Sequence, residues 1–216
     1  MDRSTSRGDI DEKALLRKVI LEKRRALSDK ERKEKSLAIQ QRFFLLDEFR
    51  RGGVIHLFLS FRGEVMTDRI VKETVALGKR VVVPVVTGGA EGLILSEIRQ
   101  YPEEVEPGAY GIPEPKKEFI RRVDPATIDL FVLPGVAFDV QGGRLGYGAG
   151  YYDRVLGGTA PSRHSMQVSL IALAFELQLV DRIPSSVHDV RVHKIVTEER
   201  VIECKNSGME KKWPGS

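Results

Sequence analysis

The sequence predicts an α/β protein: a single three-layer domain in which helices flank a mostly parallel central sheet, with a helical pair ahead of the first strand. Segments such as VIHLFLSF and RVVVPVV are near-continuous apolar runs, which is typical of strands buried on both faces. A helical pattern separates these two runs, and such a crossover joins parallel strands. The 216 residues show no internal repeat or linker, so 1–204 are predicted to form one domain, followed by a polar tail at 205–216.

Two consecutive helices are predicted at the start of the chain. Over 11–27, apolar residues recur three and four positions apart, with lysines and arginines on the other faces. Ser28 and Glu31 form a capping box, so a second helix is expected to begin there and to run to about Glu48.

The middle of the chain predicts strands joined by a helix. A strand is expected over 54–61, after which Thr67 can cap a helix that Gly78 ends. Two further strands are expected over 80–86 and 93–98.

The second half begins with an irregular stretch. Residues 101–118 hold four prolines and little periodicity, which predicts an ordered surface loop, and long loops of this kind are often functional. A strand over 128–135 then precedes a glycine-rich segment, and a short helix is expected from Tyr151. A strand over 169–175 and a last hairpin or strand around 194–202 complete the prediction.

Composition limits the classes of function. The net charge is +4, and residues 1–51 hold 15 Lys/Arg against 10 Asp/Glu, a bias that suits an anionic partner but is equally typical of solvated helix faces. The single cysteine, Cys204, excludes an internal disulfide and is expected to be a spare thiol. The N-terminus has no apolar run typical of a secretory signal, and the longest apolar runs are too short for a bilayer, so a cytoplasmic location and no membrane partner are expected.

The glycine-rich segment at 142–154, GGRLGYGAGYYDR, is the strongest candidate site. It holds five glycines and three of the five tyrosines, and it lies between a predicted strand and a predicted helix. Glycines let backbone N–H groups turn toward an anion, and in parallel α/β sheets such loops lie at the carboxyl ends of strands. The segment lacks the Lys-Ser/Thr of a P-loop and the spacing of the dinucleotide fingerprint. It therefore predicts a phosphate or nucleotide site, with a tight turn packed by aromatic rings as the alternative.

Several segments together resemble one known family. GRLGYGAGYYDR, preceded by LPGVAFD, resembles the signature of the 5-formyltetrahydrofolate cyclo-ligases, also called methenyltetrahydrofolate synthetases. Four further segments resemble elements of that family in the same order. They are KALLR with the later ALS, FLSF with the acidic turn after it, YGIPEP, and ALAFE with the later HDV. Ala149 is a departure, since relatives often carry Gly or Lys there.

The resemblance implies an ATP-dependent reaction with Mg²⁺. The γ-phosphate of ATP activates the formyl oxygen of 5-formyltetrahydrofolate, N10 attacks the activated carbon, and 5,10-methenyltetrahydrofolate, ADP and phosphate result. Phosphoryl transfer of this kind requires mainly positioning and charge neutralisation. The implied partners are the folate and ATP, with no nucleic acid, and the chain is expected to be a monomer.

The resemblance also implies roles for individual residues. Arg144 and Tyr151 are the implied catalytic residues, and Asp153 and Asp189 the implied metal ligands; a helix-dipole role for Asp153 and a turn role for Asp189 are the alternatives. Since position 149 is Ala149 and not a lysine, the residue that holds the phosphates would be Arg144, Lys13 or Arg17. The implied ATP-binding set is Lys13, Arg17, Arg144, Leu145, Gly146, Tyr147, Gly148, Ala149, Gly150, Tyr151 and Tyr152. The implied folate-binding set is Leu59, Phe61, Glu64, Tyr110, Tyr147, Gly148, Ala149, Gly150 and Tyr151.

Other interpretations stay open from the residues themselves. Leu59 and Phe61 fit the core as well as a ligand wall, and His188 and His193 are read as ordinary polar residues rather than a zinc site. A kinase or ligase that acts on another small anion is the alternative enzyme. A basic RNA-binding protein is the alternative without catalysis, although the second aromatic strand that an RNA-recognition sheet needs is not found.

Overall fold

A seven-stranded sheet forms the centre of the computed structural model, which describes residues 7–87, 92–108, 111–157, 168–184 and 189–205. The helices are α1 (Arg7–Ala26), α2 (Asp29–Phe44), α3 (Asp47–Arg51), α4 (Asp68–Ala76) and α5 (Tyr151–Gly157). The strands are β1 (Val54–His56), β2 (Arg80–Val86), β3 (Leu93–Ile98), β4 (Val105–Pro107), β5 (Pro113–Pro115), β6 (Leu130–Leu133), β7 (Ala137–Asp139), β8 (Arg144–Leu145), β9 (Ser169–Leu173), β10 (Leu179–Val180), β11 (Lys194–Val196) and β12 (Val201–Glu203). The strand order of the large sheet is β12-β11-β9-β6-β1-β2-β3, and two smaller sheets are β10-β7-β8 and β4-β5.

The predicted fold class is confirmed. β11, β9, β6, β1 and β2 are parallel to one another, and the strands at the two edges, β3 and β12, are antiparallel. Successive side chains of the central strands alternate between the two faces: Leu130 and Val132 pack with α2, α3 and α4, whereas Phe131 and Leu133 pack with α5. Both faces of the sheet are thus buried, which explains why its strands read as continuous apolar runs.

The outer edge of β3 is itself paired. Glu97 donates its N–H to Arg121 O at 2.9 Å, Val123 donates its N–H to Leu95 O at 2.9 Å, and Ser96 forms a bridge with Arg122. The opposite edge, β12, is three residues long. These two edges bound the sheet within the described part of the chain.

The predicted strand over 54–61 is wrong in its second half. The ladder of β1 ends at His56, although Leu57, Phe58 and Leu59 are still buried. The hydroxyl of Thr67 explains the departure, because it donates to Phe58 O at 2.7 Å and accepts from Ser60 N at 3.0 Å. The same bonds correct the expected cap: Thr67 precedes α4, but its side chain makes no capping bond to the helix.

Two other predicted elements differ from the structure. The capping box of Ser28 and Glu31 is confirmed, but the second helix ends at Phe44 rather than near Glu48, and the extended Leu46 separates it from α3. The break brings Phe49 within 5.0 Å of Phe43 and 5.3 Å of Phe44, measured between ring centroids. The stretch at 101–118, predicted to be irregular, contains the antiparallel pair β4 and β5.

A buried histidine lies in the central strand. The ring of His56 is stacked on Phe131 at 5.2 Å and meets Tyr152 edge-on at 5.5 Å, and neither ring nitrogen has a hydrogen-bond partner among the described residues. Burial lowers the pKa of His56 to about 3. The folded protein therefore keeps this ring neutral at pH values where the unfolded chain protonates it.

This difference predicts a pH-dependent stability. Because only the unfolded chain binds this proton, protonation of His56 lowers the free energy of unfolding. The loss is absent above the unfolded pKa of about 6.5, and it grows by about 1.4 kcal/mol per pH unit as the pH falls toward 3. Between pH 7 and pH 5, we expect the wild type to lose about 2 kcal/mol more unfolding free energy than His56→Leu. Urea unfolding of both proteins at the two pH values measures this. His193, whose pKa burial also lowers, is present in both proteins and cancels. Equal losses would contradict the prediction.

Candidate active site

The glycine-rich segment lies at the carboxyl ends of β1 and β6, neighbouring strands of the large sheet, as its position in the sequence predicts. It contains the hairpin of β7 and β8, the exposed turn at 146–150 and the start of α5. Tyr147 at the tip of this turn is 52% exposed, and Gly148 has a positive φ of 109°. This backbone leaves the turn open to a ligand on its outer side.

Asp139 anchors the base of the segment. Its side chain is buried, and the carboxylate accepts three backbone N–H bonds of 2.9 Å each, from Gln141, Gly143 and Ile183. A side chain at Gly142 would collide with Val192 O, since the two backbones touch. Close packing and a buried carboxylate therefore fix the hairpin that carries the open turn.

One face of α1 crosses the turn with three basic residues. Arg17 donates from Nε to Gly146 O at 2.9 Å, and Lys13 Nζ pairs with Asp189 Oδ2 at 3.1 Å. Arg24, seven positions after Arg17, donates to the hydroxyl of Tyr147 at 3.1 Å. Of the two predicted basic residues, Arg17 thus contacts the glycine-rich segment, and Lys13 contacts Asp189, one of the two predicted metal ligands.

Arg144 lies beneath the turn. Its side chain is only 4% exposed, its Nη2 donates to Asp153 Oδ1 at 3.0 Å, and its guanidinium lies 5.6 Å from the centre of the Tyr152 ring. Its Nε is buried without a hydrogen-bond partner in the described structure. Burial raises the pKa of Tyr152, so this phenol stays neutral. The role of Arg144 toward a phosphate stays a prediction, and the guanidinium would approach one from below the turn.

Asp153 contacts the backbone beside Asp189. The N–H of Val190, the residue after Asp189, donates to Asp153 Oδ1 at 3.1 Å. Within the described ranges, no group of three or more His, Cys, Asp or Glu side chains could hold a metal ion. A pair of carboxylates suits a hard cation such as Mg²⁺, which takes its remaining ligands from water and phosphate oxygens.

An acidic turn at 61–64 faces the glycine-rich segment. Glu64 Oε2 accepts from Phe61 N at 3.0 Å, and Glu64 Oε1 accepts from the hydroxyl of Tyr147 at 3.0 Å. Burial raises the pKa of Glu64, and the nearby Arg24 opposes this shift. Burial also raises the pKa of Tyr147 to about 12, so its hydroxyl remains a donor. The segment predicted to bind ATP and the turn predicted to bind only the folate are therefore in direct contact.

The predicted apolar wall residues have different positions. The side chain of Leu59 is buried in the core, the alternative that the sequence left open, and Leu145 is buried against Ile20. Phe61 is half-buried beneath Arg62, whose guanidinium carbon lies 4.8 Å from the ring centre. The predicted residue Tyr110 lies outside the described residues, as does His188.

Arg24 is the site residue that the sequence analysis missed. It is 2% exposed, yet it was assigned to no role because the KALLR element ends at Arg17, seven positions earlier. A signal was present: Arg24 shares a helical face with Arg17 and with the buried Ile20. An arginine on the apolar face of a helix needs internal partners, and that requirement could have identified it.

Comparisons with known proteins agree with one another. The model of the 5-formyltetrahydrofolate cyclo-ligase family matches residues 9–198. The 5-formyltetrahydrofolate cyclo-ligases of Mus musculus and Escherichia coli K12 are each 30% identical to this chain. The mouse alignment covers 85% of this chain and 92% of the mouse protein, and the Escherichia coli alignment covers 86% of this chain and 100% of the Escherichia coli protein.

Within the described segments, no helix has the length and apolar character needed to cross a membrane.

Solved structures show the same likeness. The 5,10-methenyltetrahydrofolate synthetase of Aquifex aeolicus superimposes with a TM-score of 0.76 at 31% identity, over 94% of this chain and 99% of that one. The Mycoplasma pneumoniae synthetase has a TM-score of 0.67 at 27% identity, over 87% of this chain and 99% of that one. The likeness thus covers sequence and architecture over most of the chain.

Proposed function

Since the chain belongs to the 5-formyltetrahydrofolate cyclo-ligase family, we propose that the groups around its glycine-rich segment carry out the reaction of that family. The protein is an enzyme that converts 5-formyltetrahydrofolate to 5,10-methenyltetrahydrofolate with ATP. One observation supports the assignment of the site above all: Tyr147 of the proposed nucleotide segment donates to Glu64 of the proposed folate turn at 3.0 Å. Two substrates that must meet for phosphoryl transfer would bind on adjoining surfaces.

The proposed reaction begins with transfer of the γ-phosphoryl group of ATP to the formyl oxygen, which leaves ADP. N10 then attacks the activated carbon, the bond from this carbon to the phosphorylated oxygen breaks, and phosphate departs as N10 loses its proton. The protein has to align the formyl oxygen with the γ-phosphorus and to neutralise the charge on the phosphates. Basic side chains and a bare backbone turn meet these two needs.

The nucleotide is assigned to α1 and the open turn. Lys13 and Arg17 would neutralise phosphate charge from the outer side of the turn. Arg144 would do so from below the turn, and its buried Nε, which has no hydrogen-bond partner among the described residues, could donate to a phosphate. Arg144 and Tyr151 keep their proposed place beside the reacting groups. The remaining contacts fall to the backbone and rings of Leu145, Gly146, Tyr147, Gly148, Ala149, Gly150 and Tyr152.

The folate is assigned to the acidic turn and the inner side of the same segment. Glu64 would accept hydrogen bonds from N–H groups of the pterin, and the half-buried Phe61 offers an apolar face. Tyr110 keeps its proposed role as a folate contact, and Gly111, the residue after it, lies against the Phe61 ring. Leu59 supports the turn from the core. The turn residues Tyr147, Gly148, Ala149 and Gly150 and the ring of Tyr151 would border this ligand.

Asp153 and Asp189 would hold Mg²⁺. The ion, when bound, neutralises charge on the phosphates of ATP. Both carboxylates are paired with bases, Asp153 with Arg144 and Asp189 with Lys13. The same two bases, Arg144 and Lys13, are those proposed to neutralise charge on the phosphates.

The metal assignment is testable through Asp153→Asn. We expect the Mg²⁺ concentration for half-maximal activity to rise about tenfold, equivalent to about 1.4 kcal/mol, because the amide keeps the shape but loses the charge. Initial rates at fixed ATP and folate over a range of Mg²⁺ concentrations measure this. Asp29→Asn, on the exposed start of α2, is the matched control. An unchanged Mg²⁺ profile in a folded Asp153→Asn would remove Asp153 from the metal site.

The function itself is tested by absorbance. The purified protein is mixed with 5-formyltetrahydrofolate and Mg-ATP, and the band of the methenyl product is followed beside a sample without ATP. ATP-dependent growth of the band is expected. A folded protein that produces no band would contradict the proposed function.

We further propose that the enzyme acts in the cytoplasm as a monomer, with residues 1–204 as one domain and 205–216 as a tail. The single cysteine suits a reducing compartment, and every proposed site group comes from one chain. No nucleic acid or membrane is assigned as a partner, since a carboxylate at Glu64 repels a phosphate backbone.

A further inference from the structure

Arg24 is a buried cation whose guanidinium joins separate segments of the site. Its Nη2 donates to Arg62 O at 2.8 Å and to the Tyr147 hydroxyl at 3.1 Å, and its Nε donates to Gly63 O at 3.1 Å. Its Nη1 lies 3.5 Å from Gly135 O, after the end of β6. A planar guanidinium holds such acceptors in a fixed arrangement, which a lysine cannot do.

On one side, Arg24 holds the acidic turn in an unfavourable backbone conformation. Arg62 and Gly63 have positive φ angles of 44° and 75°, and the turn is closed by Glu64 N donating to Phe61 O at 3.1 Å. A positive φ is costly for an arginine. The carbonyls of both residues accept from Arg24, so the orientation of Glu64 depends on this side chain.

On the other side, Arg24 holds the tip of the glycine-rich segment. It donates to the Tyr147 hydroxyl, and this hydroxyl donates in turn to Glu64 Oε1. Arg24, Tyr147 and Glu64 thus form one chain of hydrogen bonds between the two proposed substrate sites. Because the ring of Tyr147 is half exposed, a nucleotide that orders the turn would also order this hydroxyl and the carboxylate that it contacts.

We propose that Arg24 is a positioning residue that couples the two substrate sites, so that binding of ATP and binding of 5-formyltetrahydrofolate strengthen each other. This inference rests on the proposed function, and it assigns Arg24 no contact with either substrate. Coupling between two sites is reciprocal, so each ligand raises the affinity for the other by the same factor. A residue that merely anchored α1 would change stability without changing that factor.

The coupling factor is measured by calorimetry with a non-hydrolysable ATP analogue and 5-formyltetrahydrofolate. It is the ratio of the Kd for the analogue without folate to the Kd with saturating folate, and the reverse titration must give the same value. We expect a factor of at least about five for the wild type. We expect Arg24→Met and Tyr147→Phe to bring it within about twofold of one, and Arg24→Lys to leave an intermediate value. Arg25→Met, exposed on the same helix, should keep the wild-type factor.

The pH dependence of folate binding is a second readout. The charge of Arg24 opposes the raised pKa of Glu64, so Arg24→Met should raise that pKa further. If folate binding needs the carboxylate ion, lowering the pH should abolish binding in both proteins. The loss should begin at a higher pH in the variant than in the wild type.

The outcomes separate the two proposals. A wild-type factor of one, or a wild-type factor retained in Arg24→Lys and Tyr147→Phe, overturns the coupling while leaving an active enzyme in place. A wild type that makes no methenyl product contradicts the proposed function, and the coupling with it. If Arg24→Met does not fold, Arg24→Lys and Tyr147→Phe decide the question.

Discussion

Asp139→Ala is expected to lower the free energy of unfolding by about 3–5 kcal/mol, because it removes a buried charge that satisfies three backbone donors. The carboxylate is 3% exposed and accepts from Gln141, Gly143 and Ile183. Alanine would leave these N–H groups buried without acceptors, and each such group costs about 1–3 kcal/mol. Denaturant unfolding monitored by far-ultraviolet circular dichroism measures the change.

Two further variants serve as comparisons for Asp139→Ala. Asp139→Asn keeps one acceptor oxygen and should lose less stability than alanine. Glu118→Ala, on an exposed acidic residue, should stay within about 0.5 kcal/mol of the wild type. A loss below about 1 kcal/mol in Asp139→Ala would show that the base of the glycine-rich segment does not depend on this carboxylate.

Glu64→Gln is expected to weaken 5-formyltetrahydrofolate binding about 10- to 100-fold, the range for a hydrogen bond to a charged group. The analogue of ATP, titrated without folate, should bind within about threefold of its wild-type Kd, because Glu64 is assigned to the folate and not to the nucleotide. Calorimetric titration of each ligand gives both values. Glu118→Gln is the matched control for loss of a carboxylate.

The stability of Glu64→Gln identifies the role of this residue. Burial raises the pKa of Glu64, so at pH values above its unfolded pKa this carboxyl group lowers the free energy of unfolding, a cost that a neutral amide avoids. The variant should therefore be at least as stable as the wild type at pH 7 while it binds folate poorly. Loss of stability together with unchanged folate affinity would make Glu64 a structural residue instead.

Local patterns predicted the elements well. The capping box of Ser28 set the start of α2, and the apolar runs identified the central strands because both faces of the sheet are buried. The end of β1 was not predictable in the same way. Leu57, Phe58 and Leu59 are as apolar as a strand, and Leu57 still donates its N–H to Val82 O. The backbone then leaves the ladder where the Thr67 hydroxyl bonds Phe58 O and Ser60 N, a contact that no apolar pattern encodes.

In the candidate site, too, the local features were predictable from the sequence and the long-range contact was not. The glycines and the spacing of Lys13 and Arg17 are local signals, and in the structure Arg17 contacts the segment while Lys13 pairs with Asp189. The contact of Tyr147 with Glu64 joins residues 83 positions apart. Such a contact depends on how the segments after β1 and β6 meet in three dimensions, so no spacing rule contains it.

The two edges of the large sheet affect how the protein behaves at high concentration. A strand with free N–H and C=O groups is a template on which a second molecule can add and begin aggregation. The chain at 121–123 already occupies those groups along β3, and β12 offers only a short edge that ends at the charged Glu203. Concentrated samples should therefore resist strand-to-strand association. Substitutions that detach 121–123 from β3 would expose this edge and promote such association.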